Sequence, residues 1–305
     1  MVETSDEWIR SRTGIEERRI ADSDTAASDL ALAAAKKALA AADVAASDLD
    51  MIVVATISPD MTFPATACLV QDGLGAKKAA AFDLSAGCSG FVYGLDVGAN
   101  LVRGGRSRVL VIGVDVLSRI TDYTDRSTCV LFGDGAAAAV MGPVEEGYGV
   151  IASELGSDGA GGRHLYLPAG GSRLPASHET VDAKQHYLRM AGNDVFKFAV
   201  RIMSDSTKRV LAKAGMSNSD IRWFIPHQAN VRIIKASAAK LGIPDDNLYI
   251  NVQRYGNTSA ASIGLALAEL DDAGQLQSGD NLLMVGFGAG LTWGSMVLRW
   301  GRGDQ

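Results

Sequence analysis

The period of apolar and polar positions changes around residue 88. The run AAAFDLS, residues 79–85, predicts a buried strand, whereas GFVYGLDVGANLVRGG, residues 90–105, places apolar residues at helical spacing. Cys88 lies between the two patterns, in DLSAGCSGF. Such a turn presents a side chain beyond the end of a sheet, and the free amides of a helix N-terminus favour a thiolate. Cys88 is therefore a candidate nucleophile, although a small buried hydrophobic residue explains this stretch equally well.

A pattern of helix, turn and strand occurs twice along the chain. Residues 39–56, LAAADVAASDLDMIVVAT, align without gaps over residues 211–228, LAKAGMSNSDIRWFIPHQ. Each copy predicts an amphipathic helix, a short turn and a buried strand, an alternation typical of parallel α/β sheets. Chance similarity between two alanine-rich helices does not explain the shared Ser-Asp pair and the apolar strand that follows it.

Two similar α/β halves follow from this duplication. Each half ends in glycine-punctuated apolar strands, and EEGYGV, residues 145–150, predicts a linking turn. We therefore divide the chain into halves of residues 1–149 and 150–305. Ligands of such sheets bind beyond the carboxyl ends of the strands, where Cys88 and His227 are placed.

A long segment of the second half, residues 155–180, has almost no periodicity. It is rich in Gly, Ser and Pro, which predicts a lid, a binding loop or an interface arm. His164, His178 and His186 lie in or beside this segment without the spacing of metal ligands. We interpret them as loop histidines and predict no metal site.

Composition limits the class of protein. The chain has 305 residues, of which 47% are hydrophobic and 21% charged, as in ordinary globular proteins. Its net charge of −6 argues against nucleic acid or an anionic membrane as the main partner. Three cysteines fit a reducing compartment better than a disulfide framework. The acidic start lacks the features of a signal peptide, and no apolar run could span a bilayer, so we expect a cytoplasmic protein.

Two polar residues of the second half come directly before helical patterns. His227 lies in WFIPHQANVRIIKASAAKL, where a strand ends and helical spacing resumes. Asn257 lies in RYGNTSAASIGLALAEL, in which we expect Thr258 or Ser259 to cap the next helix. A lone histidine is more often structural than catalytic, and Asn257 by itself is better explained as a turn residue.

A glycine-rich turn, GFGAGLTWG at residues 286–294, separates two apolar strands. Its amides can approach a substrate oxygen closely, but it lacks the helix of a phosphate-binding loop. A cysteine, a histidine and an asparagine also occur together in papain-like proteases. That family's CGSCW signature is absent from AGCSG, and its fold gives no role to PHQAN or to the duplication.

Seven motifs extend over essentially the whole chain. They are TSDEWIRSRTGIEERRI, DLSAGCSGF, DVLSRITDYTDRSTCVLFGDGA, GNDVFKFAVRIM, FIPHQANVRII, RYGNTSAAS and GFGAGLTWGS. Together they resemble β-ketoacyl-acyl-carrier-protein (ACP) synthase III, the thiolase-fold condensing enzyme that starts bacterial type II fatty-acid synthesis. PHQAN followed by GNTSAAS is highly specific. The resemblance implies a thiolase-like α/β fold in which two duplicated α-β-α halves form five layers, α-β-α-β-α.

The resemblance also implies a catalytic triad of Cys88, His227 and Asn257. Because the elongating enzymes of this fold have a second histidine in place of the asparagine, Asn257 favours a chain-initiating enzyme. Cys88 is expected to take an acyl group from a short acyl-CoA, such as acetyl-CoA, while the amides of Cys88 and Ala289 hold the oxyanion. Malonyl-ACP then loses CO2, His227 and Asn257 stabilise the enolate, and the carbanion attacks the acyl-cysteine. The expected reaction requires no metal and no redox cofactor.

Further positions carry over with the resemblance, although each has a simpler explanation as a surface or core residue. The expected CoA-binding residues are Trp8, Arg12, Arg126, Asn230 and Gly192. The expected acyl-pocket residues are Phe63, Leu117, Phe132, Leu188 and Met190. The expected contacts of the acidic ACP are Lys197, Arg232, Lys235 and Lys240. We expect a homodimer in which Phe63 crosses into the partner's pocket.

One part of the pattern departs from the family. Members have about 25 residues ahead of the TSDEW motif, which form a glycine-containing first strand and a short helix, whereas here Met1 comes just before that motif. We therefore expect the first strand of the N-terminal half to be missing from this chain. We also expect lower stability than in an extended version.

Two other functions stay open at this point. One is a same-fold acyltransferase or starter enzyme of a secondary-metabolite pathway, and the other is an inactive chain that binds acyl-CoA or ACP. A requirement for malonyl-ACP separates the fatty-acid enzyme from the first alternative. A covalent acyl-Cys88 separates both enzymes from the second.

Overall fold

A computed structural model describes residues 2–301 of the chain. The helices are α1 (Asp6–Thr13), α2 (Ala27–Ala41), α3 (Thr66–Leu74), α4 (Gly90–Arg103), α5 (His178–Asp182), α6 (Gly192–Ala214), α7 (Val231–Leu241), α8 (Val252–Tyr255) and α9 (Ala261–Asp272). The strands are β1 (Met51–Ala55), β2 (Ala80–Leu84), β3 (Val109–Asp115), β4 (Gly135–Met141), β5 (Gly149–Ser157), β6 (Leu165–Tyr166), β7 (Arg189–Met190), β8 (Trp223–Pro226), β9 (Asn281–Gly288) and β10 (Thr292–Arg299). Within this range, every helix is too short or too polar to cross a membrane.

Two four-stranded sheets form the framework. The first has the strand order β2-β1-β3-β4, and the second has the order β5-β10-β9-β8. In the first sheet β2, β1 and β3 are parallel and β4 is antiparallel to β3. In the second sheet β8 and β9 are parallel, and β10 is antiparallel to both of its neighbours. The strands β1, β3 and β4 therefore correspond to β8, β9 and β10.

The two sheets differ at one edge. In the second sheet β5 pairs along the outer side of β10. In the first sheet, within residues 2–301, β4 pairs only with β3, and no strand precedes β1. The strand that we expected to be missing from the first half is thus absent from the described range. Our division into residues 1–149 and 150–305 stays a prediction, with β5 beginning at Gly149 and with residues 1 and 302–305 outside the described range.

Helices form three layers around the sheets. Helices α2 and α3 cover the outer face of the first sheet, and α6 and α7 cover the outer face of the second. Helices α4 and α9 lie between the sheets, where Phe91 of α4 and Ile263 of α9 pack with Val111 of β3 and Met284 of β9. The predicted five-layer α-β-α-β-α arrangement is confirmed.

The duplicated segments fold alike. In each copy the helix is followed by a 3-10 turn, Ala46–Asp48 in the first and Asn218–Asp220 in the second, and then by a parallel strand, β1 or β8. The two turns occupy the same positions of the gap-free alignment, and both include the shared Ser-Asp pair. The Asp220 carboxylate accepts hydrogen bonds from the amide and the hydroxyl of Ser217, so the acidic residue closes its turn.

Two local predictions are wrong. Strand β2 is not buried, because it lies at the edge of the first sheet and its Phe82 is 37% exposed. The expected side-chain cap of α9 is also absent, since the cap residue is Ala260 and the hydroxyls of Thr258 and Ser259 make no hydrogen bond within residues 2–301. The carbonyls of Thr258 and Ser259 instead accept hydrogen bonds from the amides of Ala261 and Ser262, so a backbone turn starts this helix.

The segment without sequence periodicity has more regular structure than we predicted. Residues 155–180 include the end of β5, a 3-10 turn at Gly159–His164, strand β6 and the start of α5. Strand β6 pairs antiparallel with β7, and the amide of Leu188 donates to the carbonyl of Ile120 at 2.8 Å. The segment is thereby attached to the first half. Within residues 2–301 no group of three or more His, Cys, Asp or Glu side chains could hold a metal ion.

Helix α1 precedes the first half along the chain but packs on the second half. Ile15, just after the helix, is fully buried in the hydrophobic cluster of α6 and α7. The two amides that follow it donate to the carbonyl of Gln253, each at 2.9 Å. Gly14 has a φ of 77°, and a Cβ there would lie 2.7 Å from the side chain of Val231. Glycine is needed at this point for the turn and for the close approach.

Candidate active site

Cys88 lies in the turn between β2 and α4. Residues Gly87–Ser89 form a single 3-10 turn that leads directly into α4 at Gly90. Gly87 has a φ of 55°, a left-handed conformation that favours glycine, and it lets the chain leave β2 and start the helix within a few residues. Cys88 itself is buried. The predicted strand-to-helix turn is confirmed.

The glycine-rich end of β9 brings a second backbone segment against Cys88. A Cβ at Gly288 would overlap the amide nitrogen of Cys88, and a Cβ at Gly87 would lie 2.9 Å from the amide nitrogen of Ala289. Because side chains at these positions would push the segments apart, both positions need glycine. The two predicted oxyanion donors, the amides of Cys88 and Ala289, therefore belong to adjoining backbone segments.

Burial is the main influence on the Cys88 thiol and raises its pKa to about 12. The Ser259 hydroxyl lowers this pKa, and the Asp115 carboxylate raises it. Because the Ser259 hydroxyl makes no hydrogen bond of ordinary length within residues 2–301, we interpret its effect as electrostatic. Burial thus outweighs the helix terminus that we expected to favour a thiolate. Cys88 is a neutral thiol at pH 7, so its attack on an acyl group requires loss of that proton.

Asp115, at the end of β3, is a buried carboxylate that joins the two halves. Its Oδ1 accepts hydrogen bonds from the Thr56 hydroxyl at 3.1 Å, the Ile57 amide at 2.8 Å and the Ser58 hydroxyl at 2.8 Å. Its Oδ2 accepts from the amide of Ala260 at 3.2 Å. Burial raises the pKa of the Asp115 carboxyl, and the hydrogen bonds from Ile57, Ser58 and Ala260 oppose this effect. The bond from Ala260 also attaches the turn before α9 to the first sheet.

His227 follows β8 and is buried at the end of the second sheet. Its amide donates to the carbonyl of Val285 on β9 at 2.8 Å, and its ring meets the edge of Phe287 with the centroids 5.3 Å apart. Its Nδ1 lies 2.6 Å from the Oγ of Ser262. Burial lowers the pKa of His227 to about 3, so the imidazole is neutral at pH 7.

Asn257 lies in the turn before α9 and is held by the first half. Its amide donates to the carbonyl of Leu131 at 2.9 Å, and its carbonyl accepts from the amide of Gly133 at 3.0 Å. Its side-chain Oδ1 accepts from the amide of Ser259 at 2.9 Å. This hydrogen bond assigns the two ends of the side-chain amide and leaves Nδ2 as a donor.

The turn from Asn257 into α9 packs near Cys88, and the first turn of α9 contacts His227. Ala260 packs beside Gly90, the first residue of the helix after the nucleophile, where a Cβ would lie 3.3 Å from the Ala260 Cβ. Two residues further, Ser262 bonds to the ring of His227. The structure therefore brings all three predicted catalytic residues to the carboxyl ends of the two sheets.

Four of the five candidate CoA-binding residues lie around α1. The guanidinium of Arg126 lies over the ring of Trp8, 4.6 Å from its centroid. The Nδ2 of Asn230 donates to the carbonyl of Arg12 at 3.2 Å, which joins the start of α7 to α1. The fifth candidate, Gly192, is the first residue of α6.

Three of the five candidate acyl-pocket residues form one buried cluster. Its members are Leu117, Phe132 and Leu188. Leu165 of β6 packs against this cluster and pairs with Met190 of β7. Phe63 does not belong to this cluster and is 82% exposed. A single chain therefore gathers four of the five candidates and leaves Phe63 on its surface.

The candidate ACP contacts are exposed basic side chains on α6 and α7. They are Lys197, Arg232, Lys235 and Lys240. None of them forms an ion pair within residues 2–301. The guanidinium of Arg232 lies 5.9 Å from the ring centroid of Phe196.

Comparisons with known proteins identify the family of the chain. Residues 82–159 match the family described as 3-oxoacyl-[acyl-carrier-protein (ACP)] synthase III, and residues 211–300 match its C-terminal part. The β-ketoacyl-[acyl-carrier-protein] synthase III of Caldanaerobacter subterraneus subsp. tengcongensis is 57% identical over 303 residues, which are 99% of this chain and 92% of the relative. The chain belongs to the β-ketoacyl-ACP synthase III family.

Solved structures of similar proteins have the same fold as this synthase III chain. The synthase III of Thermus thermophilus is 49% identical, with a TM-score of 0.92 over 99% of this chain and 92% of that one. The priming β-ketosynthase from the R1128 polyketide biosynthetic pathway is 36% identical, with a TM-score of 0.89 over 97% of this chain and 88% of that one. The thiolase-like fold predicted from the motifs is therefore confirmed for this synthase III chain.

Sequence reasoning missed the polar residues that hold the triad candidates of this synthase III chain. The Oε1 of Gln228 accepts from the amides of Asn251 and Val252 at 2.9 and 3.2 Å. Glu269 of α9 accepts hydrogen bonds of 2.7 to 3.1 Å from four side chains. Its donors are Tyr249, Asn251, Arg254 and Tyr255. Gln228 lies within the recognised motif PHQAN, which could have suggested it. Glu269 lies in the helical part of RYGNTSAASIGLALAEL, where nothing in the pattern indicates its hydrogen-bond partners.

Proposed function

We propose that this chain catalyses the chain-initiating condensation of a short acyl-CoA with malonyl-ACP, giving a β-ketoacyl-ACP, CoA and CO2. The observation that carries the proposal is the convergence of Cys88, His227 and Asn257 at the carboxyl ends of the sheets in a member of the synthase III family. Both steps of this reaction need only a nucleophile, two oxyanion donors and two neutral hydrogen-bond donors. The proposed chemistry therefore uses no metal and no redox cofactor.

In the first step the Sγ of Cys88 attacks the thioester carbonyl of the acyl-CoA. The carbonyl oxygen becomes an oxyanion between the amides of Cys88 and Ala289, which the close approach of Gly87 and Gly288 supports. The bond between carbon and the CoA sulfur then breaks, and the thiol proton of Cys88 leaves on CoA. The product is an acyl-cysteine, which the surrounding buried residues protect from water.

In the second step malonyl-ACP loses CO2, and the electron pair of the broken bond forms an enolate at its thioester. Nε2 of His227 and Nδ2 of Asn257 donate hydrogen bonds to the enolate oxygen. The low pKa of His227 supports this role, because a neutral imidazole donates a hydrogen bond without transferring a proton. The enolate carbon attacks the acyl-cysteine, and Cys88 leaves as a thiolate that takes up a proton.

The remaining candidate residues would hold the substrates. The stacked pair of Trp8 and Arg126 supports a site for the adenine of CoA, with Arg12, Asn230 and Gly192 along its arm. The cluster of Leu117, Phe132 and Leu188, with Met190 beside it, supports a pocket for a short acyl chain. The unpaired cations of α6 and α7, Lys197, Arg232, Lys235 and Lys240, support docking of an acidic carrier protein.

We also propose a homodimer in which Phe63 enters the pocket of the partner. Its 82% exposure supports this arrangement, as does the neighbouring Met61, which is 47% exposed. Three free cysteines support a reducing compartment, and we propose the cytoplasm.

Intact-protein mass spectrometry after incubation with acetyl-CoA and with longer and branched acyl-CoAs tests the proposal. We expect an acyl mass on the parent chain and none on Cys88→Ala. Addition of malonyl-ACP should then remove the acyl group and yield a β-ketoacyl-ACP. A folded parent chain without any adduct would contradict the acyltransferase and favour a role in binding acyl-CoA or ACP.

The likeness to the R1128 priming ketosynthase supports a second candidate, a starter enzyme of a secondary-metabolite pathway. The same cysteine and donors would serve this reaction. Reaction rates with different primers and carrier proteins distinguish the two candidates. A fatty-acid enzyme should react fastest with the carrier protein of fatty-acid synthesis.

A further inference from the structure

Ser262 links the ring of His227 to the backbone of the next residue. Its Oγ lies 2.6 Å from Nδ1 of His227, and the amide of Gln228 donates to the same oxygen at 3.3 Å. Ser262 lies in the first turn of α9 and is 2% exposed, so its hydroxyl has no access to bulk water. Its proton must therefore go to a protein acceptor or remain without a partner.

The positions of the protons follow from a count of donors and acceptors. A hydroxyl has one proton and two lone pairs, and a neutral imidazole has one N–H and one lone pair. The amide of Gln228 already occupies one lone pair of the Ser262 oxygen. If Nδ1 of His227 also carried a proton, it would occupy the second. The hydroxyl proton of Ser262 would then be buried with no acceptor within residues 2–301, which is unfavourable.

We propose that Ser262 is a positioning residue, which donates its proton to Nδ1 of His227 and thereby keeps the ring proton on Nε2. This inference rests on the proposed function, in which Nε2 donates to the enolate oxygen. With the other tautomer, the lone pair of Nε2 would face that oxygen and repel it. Ser262 thus makes Nε2 of His227 a hydrogen-bond donor. In the same way, the amide of Ser259 bonds to Oδ1 of Asn257 and leaves Nδ2 as the donor of that side chain.

The two steps of the reaction should depend differently on Ser262. Formation of acyl-Cys88 uses the amides of Cys88 and Ala289 and needs no donor on His227. Decarboxylation of malonyl-ACP needs the Nε2 proton, and loss of one preorganised donor commonly slows a step by about 10²–10³-fold. Ser262 should therefore matter for decarboxylation and little for acylation.

The test compares the parent chain with Ser262→Ala and with Ser262→Thr, which keeps a hydroxyl. Nitrogen NMR of protein labelled at its histidines reports which ring nitrogen carries the proton, with His227→Gln to identify the signal. Mass spectrometry follows the acyl-cysteine, and CO2 release from malonyl-ACP follows decarboxylation.

We expect the Nε2–H tautomer in the parent chain and a shift toward Nδ1–H in Ser262→Ala. Decarboxylation by Ser262→Ala should fall by about 10–10³-fold while the acyl-cysteine still forms, and Ser262→Thr should recover much of the loss. An Nδ1–H tautomer in the parent would overturn the inference, as would parent-like tautomer and decarboxylation in Ser262→Ala.

The readouts separate this inference from the proposed function. If the parent chain neither forms an acyl-cysteine nor releases CO2, the proposed function fails, while the NMR spectra still show whether Ser262 sets the tautomer. If Ser262→Ala does not fold, the parent spectrum and Ser262→Thr decide the question.

Discussion

Burial sets the protonation states of the catalytic candidates. It raises the pKa of Cys88 to about 12 and lowers that of His227 to about 3, so both groups are neutral at pH 7. Burial also raises the pKa of the Asp115 carboxyl near the thiol, and hydrogen bonds from Ile57, Ser58 and Ala260 oppose this shift. Cys88 and His227 therefore interact with the substrates as neutral dipolar groups, not as charged groups. This suits a reaction in which negative charge develops twice on a thioester oxygen.

The low pKa of His227 makes the stability of the chain depend on pH. The unfolded chain binds a proton at His227 below a pH of about 6.5, whereas the folded chain does so only near 3. Because the unfolded state binds more protons in this window, the free energy of unfolding should decrease as the pH falls, by about 1.4 kcal/mol per pH unit from this residue. We expect a shallower dependence in His227→Gln, measured by urea unfolding between pH 7 and pH 5. Equal slopes for the two proteins would contradict this prediction.

The glycine at the end of β9 offers a test of the oxyanion site. A methyl group at Gly288 would push the amides of Cys88 and Ala289 apart, so Gly288→Ala should slow formation of the acyl-cysteine by about 10²-fold or more. Gly159→Ala is the matched control, because a Cβ at Gly159 meets no atom within 4 Å. Single-turnover mass spectrometry measures both rates. Similar rates for the two variants would argue against a role of these amides.

At the scale of the elements, α9 organises the site. Its first turn carries Ser262, which contacts His227, and its last turns carry Glu269, which receives hydrogen bonds from the segment that leads to Asn257. The helix also lies between the two sheets, against β4 and β8. A displacement of α9 would therefore disturb both hydrogen-bond donors of the second step.

Removal of the charge at Glu269 should loosen this segment. Glu269→Gln replaces one acceptor oxygen by an NH2 group, which cannot accept from two tyrosines, an asparagine and an arginine together. We expect a loss of stability of about 1–3 kcal/mol and slower decarboxylation. Thermal unfolding and CO2 release measure the two effects, with the exposed Glu146→Gln as control. If Glu269→Gln behaves like this control, the network does not hold the segment.

The sequence predicts these elements better than it predicts their contacts. The duplication predicted the helix, short turn and strand in both halves, because helix and strand periods are local properties of the chain. The roles of Asp115 and Glu269 could not be predicted. The partners of Asp115 lie 57 to 145 residues away along the chain, and those of Glu269, 14 to 20 residues away, have no periodic spacing. The burial of β2 was overestimated for the same reason, because an apolar run does not show which strand lies at the edge.

At the scale of the whole molecule, the central layer makes the two halves one folding unit. Helices α4 and α9 each contact both sheets. Their packing is close, since a Cβ at Gly94 of α4 would lie 2.7 Å from Val111, and one at Gly264 of α9 would lie 2.6 Å from Ala137. Neither half can bury the inner face of its sheet without this shared layer.

We therefore expect one unfolding transition for the whole chain. Gly94→Ala and Gly264→Ala should each lower its Tm, because either methyl group disturbs the layer that both sheets share. Differential scanning calorimetry measures the number of transitions and their midpoints. Two transitions, each sensitive to only one substitution, would show that the halves unfold independently.

The docking of α1 on the second half determines when the enzyme can become complete during its synthesis. The segment that carries Trp8 and Arg12 is made before its partners Asn230, Val231 and Gln253, and Arg12 and Asn230 are 218 residues apart. At ~5–20 residues per second, this segment waits for some tens of seconds. The proposed CoA site therefore cannot be complete while the first sheet is forming, and it can form only after α7 and Gln253 have been translated.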